Sequence, residues 1–122
     1  MLKIKRAYER KEAGDGERIL IDRLWPRGVG KDEASIDEWL KELAPSTQLR
    51  QWFDHDPGKW KEFKKRYCKE LAAPESRRLL ENIARTAERY NVTLIYAAKD
   101  TEHSHVLVLK ELIAEFMSSV RT

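Results

Sequence analysis

Leu2, Ile4 and Tyr8 fall on one parity of an alternating segment, with Lys3 and Lys5 between them. Period two is the signature of a strand with one wetter face, so residues 2–8 are expected to form an outer strand. A polar stretch holding Gly14 and Gly16 leads into Arg18-Ile19-Leu20-Ile21-Asp22. Three consecutive large aliphatic residues there predict a strand buried on both faces. Pro26 cannot sit in a central ladder, and Gly28 and Gly30 permit unusual dihedrals, so residues 22–28 read as a structured loop.

Helical periodicity then takes over. Ser35 with Glu38 has the form of a capping box, and Ile36, Trp39, Leu40 and Leu43 recur at helical spacing until Pro45. A short turn carries Leu49, Trp52 and Phe53. Asp56 before Pro57 predicts an N-cap with a first-turn proline, followed by the apolar stripe Trp60, Phe63, Tyr67 and Leu71. Pro74 opens a further helix whose Leu79, Leu80, Ile83, Ala84 and Ala87 face inward, with Asn91 placed to close it in a left-handed turn. Residues 92–98, Val-Thr-Leu-Ile-Tyr-Ala-Ala, are a second strongly buried strand. Val106, Leu109, Leu112, Ile113, Phe116, Met117 and Val120 form a wide arc on a last helix.

Strands separated by a long helical crossover predict an α/β fold: a single domain over residues 1–122, with a small, mostly parallel sheet of about three strands packed by about five helices. The crossover between residues 22 and 92 places those two strands parallel. The orientation of the first strand stays open. Eight residues between Tyr8 and Glu17 suit a hairpin by loop length alone.

Composition narrows the class of protein. Across 122 residues, 41% hydrophobic and 37% charged is too apolar for a disordered chain, and no uncharged run is long enough to span a membrane. One cysteine, Cys68, cannot form an internal disulfide, and no apolar signal core follows the first charges, so a cytoplasmic location is expected. A net charge of +3 is too small to establish a nucleic-acid partner.

Ligands of open α/β sheets bind outside the carboxyl ends of the strands, which here means residues 22–28 and 99–105. The first loop offers Asp22, Arg23, Trp25 and Arg27. Arginine forks match phosphate and carboxylate oxygens, and an indole offers a wall or stacking face. The second, Lys99-Asp100-Thr101-Glu102-His103-Ser104-His105, lies at a strand-to-helix turn where free N–H groups and the helix dipole favour an anion. Together they predict a site for a phosphate-bearing ligand, a nucleotide or a nucleic-acid end. Arg23, Arg27, Lys99, Trp25 and Asp100 would be the binding residues, with Asp22, His103 and His105 as the groups able to move a proton.

Two alternatives stand beside this reading. Lys61, Lys65, Arg66 and Lys69 lie opposite the apolar stripe of the helix over residues 57–72, a basic face suited to a non-catalytic module that binds nucleic acid or an acidic protein. Asp100, His103 and His105 offer carboxylate and imidazole groups to a metal-dependent hydrolase, but the spacing is not diagnostic and no metal ligands are assigned. His55, between Asp54 and Asp56, reads as a surface or packing residue beside a helix cap. Cys68 reads as packing, with a cationic neighbourhood that would lower a thiol pKa. No Walker loop, Gly-x-Ser-x-Gly elbow or Gly-x-Gly-x-x-Gly turn is present, and no cofactor is expected.

The run Asp22-Arg23-Leu24-Trp25-Pro26-Arg27-Gly28, with Trp60-x-x-Phe63-x-x-x-Tyr67, Tyr96-Ala97-Ala98-Lys99-Asp100 and the Ala-Pro-Ser at 44–46, resembles the YeaO-like proteins. These are a short branch of the domain of unknown function 488 family. The resemblance spans nearly the whole chain and implies a Rossmann-like α/β fold with no settled activity. Longer members have a helix in the first connection, which implies a parallel first strand. They also carry a Cys-His-Arg triplet near the start of the last helix, where this chain has His103-Ser104-His105. That difference removes a thiol and a guanidinium while leaving the Asp22 and Arg23 side intact.

Overall fold

A computed structural model describes residues 1–121, with side chains through residue 117. The first strand, β1 (Leu2–Arg6), is followed by β2 (Glu17–Leu20), a single-turn helix α1 (Lys31–Ala34) and a two-residue strand β3 (Glu38–Trp39). The chain continues through α2 (Thr47–Phe53), α3 (Trp60–Leu71), α4 (Pro74–Arg89), β4 (Val92–Tyr96) and α5 (His105–Arg121). Four strands in the order β1-β4-β2-β3 make one sheet, and every pair is parallel. The α/β fold with five α-helices is as expected, with one strand more and no antiparallel member. No described helix is long and apolar enough to cross a membrane.

Strand alternation divides the core. Ile19, Ile21, Val92, Leu94 and Tyr96 share the main cluster with Phe53, Phe63 and Tyr67, Leu80 and Ile83 from α4, and Leu109 and Ile113 from α5. Leu20 and Ile95 point the other way and meet Ala7, Trp25, Ile36 and Trp39 in a smaller cluster. Both faces of the central strands are therefore covered, as their unbroken aliphatic runs require. Leu112, Phe116 and Met117 pack on the main cluster as expected, whereas Val120 lies outside the described side chains.

The parallel placement of β1 and β2 depends on the connection between them. It runs back along β4: Ala7 N–H donates to Tyr96 O, Thr93 Oγ1 to Asp15 O, and Glu17 N–H to Asn91 O. Gly16 makes the last step with φ at +65°, and a Cβ there would lie 2.0 Å from Asn91 O. Asn91 adds its side chain, Nδ2 donating to Gly14 O at 2.9 Å. It does not close α4 in a left-handed turn; the cap residue Tyr90 is extended.

The largest departure lies between residues 35 and 45, where a helix is expected. Arg18, 1% exposed, donates from Nε and Nη2 to Ala34 O and from Nε to Ser35 O, and it pairs with buried Asp15. Ser35 turns left-handed (φ 48°) and its hydroxyl goes back to Asp32 O, so the capping box does not form. The chain then pairs with the open edge of β2, with Asp37 N–H on Arg18 O and Leu40 N–H on Leu20 O. Unsatisfied ladder groups on β2 outcompete the local helical periodicity. Leu49, Trp52 and Phe53, expected in a turn, belong instead to α2, which Ser46 caps by accepting the Leu49 N–H at 3.1 Å. Asp56 and Pro57 behave as expected, with the Asp56 carboxylate accepting from Gly58 N–H in a turn that runs into α3.

Candidate functional site

β2 and β4 both end beneath a cavity of about 510 Å³. Three chain segments supply most of its wall, the loop after β2, the stretch from Ala44 to His55 around α2, and the turn from β4 into α5, and Tyr8 and Phe63 complete it. Phe53, Phe63, Pro26, Pro45, Ala97 and Ala98 supply apolar walls, while Asp22, Arg23, Arg27, Arg50, His55, His103, Ser104 and His105 supply the polar ones.

Asp22 is the hinge between the two strand ends. Its Oδ2 accepts the Ala97 N–H at 2.9 Å, taking the backbone donor just past β4, and its own carbonyl accepts Trp39 Nε1 at 2.7 Å. Its Oδ1 lies 3.2 Å from His105 Nε2, which is equally close to Ile21 O. The imidazole is thus shared with the carbonyl, and Asp22 Oδ1 keeps no directed hydrogen bond. Arg23 donates from Nη2 to Pro45 O at 3.2 Å, which ties the loop to the segment before α2, while its Nε is buried without a partner. Ser104, 3% exposed, likewise buries an unpartnered Oγ immediately before α5.

Arg27 and Arg50 are exposed, and neither side chain has a hydrogen-bond or ion-pair partner among the described residues. Arginine heads left free at a cavity rim are positioned for an oxyanion. Trp25 is a fixed wall and not a free stacking face: its Nε1 donates to Val29 O at 2.7 Å and its ring meets Trp39 edge-on at 5.5 Å. Tyr8 stands at the mouth, its hydroxyl donating to Arg27 O at 3.2 Å.

The second loop divides. His103 and His105 line the cavity, whereas Lys99 and Asp100 do not. Lys99 is exposed. Asp100 accepts from the Glu102 and His103 N–H groups and lies 2.9 Å from His103 Nδ1. Those hydrogen bonds, the Glu102 N–H foremost and then the His103 ring, hold its carboxyl below the ordinary aspartate range. Asp100 therefore positions His103, which also meets the Trp60 ring edge at 5.6 Å. His103 pairs with Asp100 and His105 with Asp22, so the trio considered for a metal is split between two pairs. Among the described residues no three His, Cys, Asp or Glu groups converge.

Arg50 is not among the residues that sequence singles out, because residues 49–53 read as a turn. His55 is exposed, in keeping with its reading as a surface or packing residue, yet it also lines the cavity. Asp54 and His55 take successive left-handed conformations (φ 46° and 56°) after α2, and this reversal carries His55 to the cavity. Elsewhere, Lys61, Lys65, Arg66 and Lys69 are exposed on α3. Arg66 is engaged, bonded to Glu62 Oε2 at 3.0 Å and lying 4.1 Å over the Trp52 ring. Cys68 is exposed, and burial of its thiol together with Glu111 pushes its pKa up, opposite to the expected direction.

The sequence model for the family described as the Inactive DUF488-N3 subclade matches residues 1–121. The chain belongs to this DUF488 family. Among similar proteins, the uncharacterized protein YeaO of Escherichia coli K12 is 42% identical over 110 residues, covering 90% of this chain and 94% of that one. The uncharacterized protein Rv3073c of Mycobacterium tuberculosis H37Rv is 36% identical over 112 residues, covering 92% of each. No solved structure gives a significant match. The resemblance read from the Asp22–Gly28 run and the Tyr96–Asp100 segment is therefore to the right family, and these segments adjoin at the strand ends.

Proposed function

We propose that this protein binds a phosphate-bearing ligand, a nucleotide or a nucleic-acid end, in the cavity at the carboxyl ends of β2 and β4. The observation that carries the reading is the gathering of Arg23, Arg27 and Arg50 on one cavity, two of them without partners, against the single carboxylate of Asp22. The apolar walls suit the flat body of a base, and the guanidinium groups suit its phosphate. Lys99 and Asp100, which do not line the cavity, leave the ligand contacts; Lys99 acts at most as a distant charge and Asp100 acts through His103.

Binding is favoured over catalysis by two features. The family is described as inactive. Ser104 lies between two histidines, yet its hydroxyl bonds to neither, and an activated serine requires a base within hydrogen-bond reach. The His105–Asp22 and His103–Asp100 pairs then serve to hold imidazoles at the wall.

Arg27→Ala and Arg50→Ala test the reading. Both side chains are exposed and unpartnered, so circular dichroism and the thermal midpoint are expected to stay unchanged. Adenosine monophosphate titrated into the double variant should bind at least about tenfold more weakly, the scale of one charge-assisted contact. Undiminished binding in that variant would refute the cavity as the site. Binding lost instead in a Lys61→Ala, Lys65→Ala, Lys69→Ala variant would move the function to the basic face of α3.

A further inference from the structure

Three polar atoms of this cavity's lining residues are buried without a directed hydrogen bond: Asp22 Oδ1, whose one polar neighbour is the His105 Nε2 it shares with Ile21 O at 3.2 Å, Arg23 Nε and Ser104 Oγ. Buried polar groups are nearly always satisfied, because leaving one unpaired forfeits its hydration with no return. One such atom would be unremarkable. Three on the wall of one cavity form a pattern, and the pattern has a sign: a guanidinium N–H, which only donates, a carboxylate oxygen, which only accepts, and a hydroxyl, which does either. Whatever completes the set must offer acceptor oxygens to Arg23 and Ser104 and a donor to Asp22.

Ser104 also stands immediately before α5, whose opening turn directs backbone N–H groups and the positive end of the helix dipole toward the same side. The Ser104 carbonyl is already used, accepting the Leu107 N–H at 3.0 Å, so only its hydroxyl is spare. Ser104 lines the cavity, and no hydrogen bond stops its hydroxyl from turning between staggered χ1 positions. Asp22 cannot turn in the same way, because Oδ2 is held by Ala97 N–H.

We infer that the ligand is a phosphomonoester that also carries a free sugar hydroxyl, as a ribonucleoside 5′-monophosphate or the 5′-phosphorylated end of an RNA does. This rests on the phosphate-binding reading above and adds the seat and the second group. The phosphate lies at the first turn of α5 against Ser104 and Arg23, and a hydroxyl donates to Asp22 Oδ1. A terminal phosphate suits this seat better than a phosphodiester within a continuous strand, because it offers three non-bridging oxygens to Ser104, Arg23 and the first N–H groups of α5 where a diester offers two.

The test is a set of titrations followed by amide NMR shifts and calorimetry, using adenosine monophosphate, its 2′-deoxy and 3′-deoxy analogues, adenosine, and a trinucleotide with and without a 5′-phosphate. Ser104→Ala removes only an unpartnered hydroxyl, so the fold is retained. Asp22→Asn keeps an acceptor for Ala97 N–H and changes the free side. Adenosine monophosphate should perturb residues 104–106 and bind at least about tenfold more tightly than adenosine and than either deoxy analogue missing the recognised hydroxyl. Ser104→Ala should erase most of the phosphate preference and Asp22→Asn most of the hydroxyl preference. The trinucleotide arms identify the source: binding that requires its 5′-phosphate assigns a strand end, and binding of the mononucleotide alone assigns a free nucleotide. If Ser104→Ala binds unchanged while Arg27→Ala and Arg50→Ala weaken binding, the seat is wrong and the broader reading stands. If both deoxy analogues bind as well as the ribonucleotide, the hydroxyl assignment is overturned. If adenosine matches its monophosphate, both readings fall.

Discussion

At the scale of single residues, the most consequential side chain outside the cavity is Arg18. It sits in β2 between Glu17 and the aliphatic pair Ile19 and Leu20, and its burial is tolerated because Asp15 and the carbonyls of Ala34 and Ser35 surround it. Burial alone would raise the Asp15 pKa, but the Glu12 N–H, Lys5 and Arg18 outweigh it and hold the carboxyl below its ordinary value. Removing one partner leaves a buried charge unopposed, so Asp15→Ala is expected to cost about 3–5 kcal/mol in urea unfolding. The linkage has a definite sign. A carboxyl with a depressed folded pKa contributes stability that is complete above its unfolded value, near 4, and lost as pH falls through the folded one. Stability of the natural chain should therefore drop on acidification through that range, and Asp15→Ala should flatten the dependence; equal pH slopes for the two proteins would contradict it.

Elements are held in register by a few joints. Gly16 brings the connection after β1 back to the start of β4, and neither its positive φ nor the nearby Asn91 carbonyl leaves room for a Cβ. Gly16→Ala is expected to destabilise by well over about 1 kcal/mol, with the loss visible as faster hydrogen exchange in β1 and β2. Ser46 joins α2 to α3: it caps α2 through Leu49, and its N–H and hydroxyl reach the Glu70 carboxylate at 2.9 and 2.6 Å. Ser46→Ala should cost about 1–2 kcal/mol, with thermal unfolding as the measure. Arg50 rides on α2, so the same change should also weaken nucleotide binding, a coupling absent if α2 plays no part in the site.

For the whole molecule, an all-parallel sheet sends every strand's carboxyl end to one side, and the cavity forms where β2 and β4 end together. A ligand that binds only the folded state adds to its stability. At a hundred times its Kd a nucleoside monophosphate should contribute about 2.7 kcal/mol, a rise of roughly 10 °C in Tm for a chain of this size. The rise should shrink in Arg27→Ala and fall to about half or less in the arginine double variant, since about tenfold weaker binding at the same concentration leaves about 1.4 kcal/mol. An equal rise in all three proteins would place the ligand elsewhere.

The aliphatic runs at 19–21 and 92–96, the caps at Asp56 and Pro74, and the loop from Asp22 to Gly28 carry their meaning locally. A fully buried strand has no polar alternation, a helix start needs its capping groups, and Pro26 breaks a ladder wherever it stands. The α/β class and the strand-end location of the candidate site follow from these. What sequence could not show is set by partners distant in the chain. Residues 35–43 abandon a helical pattern because β2 presents an unpaired edge and Arg18 captures the Ala34 and Ser35 carbonyls. Arg50 joins Arg23 and Arg27 because α2 packs beside the strand ends, and Lys99 leaves them because its turn faces solvent. Local periodicity records which face of an element is apolar; which groups meet across a cavity depends on hydrogen bonds and packing between segments far apart in the chain.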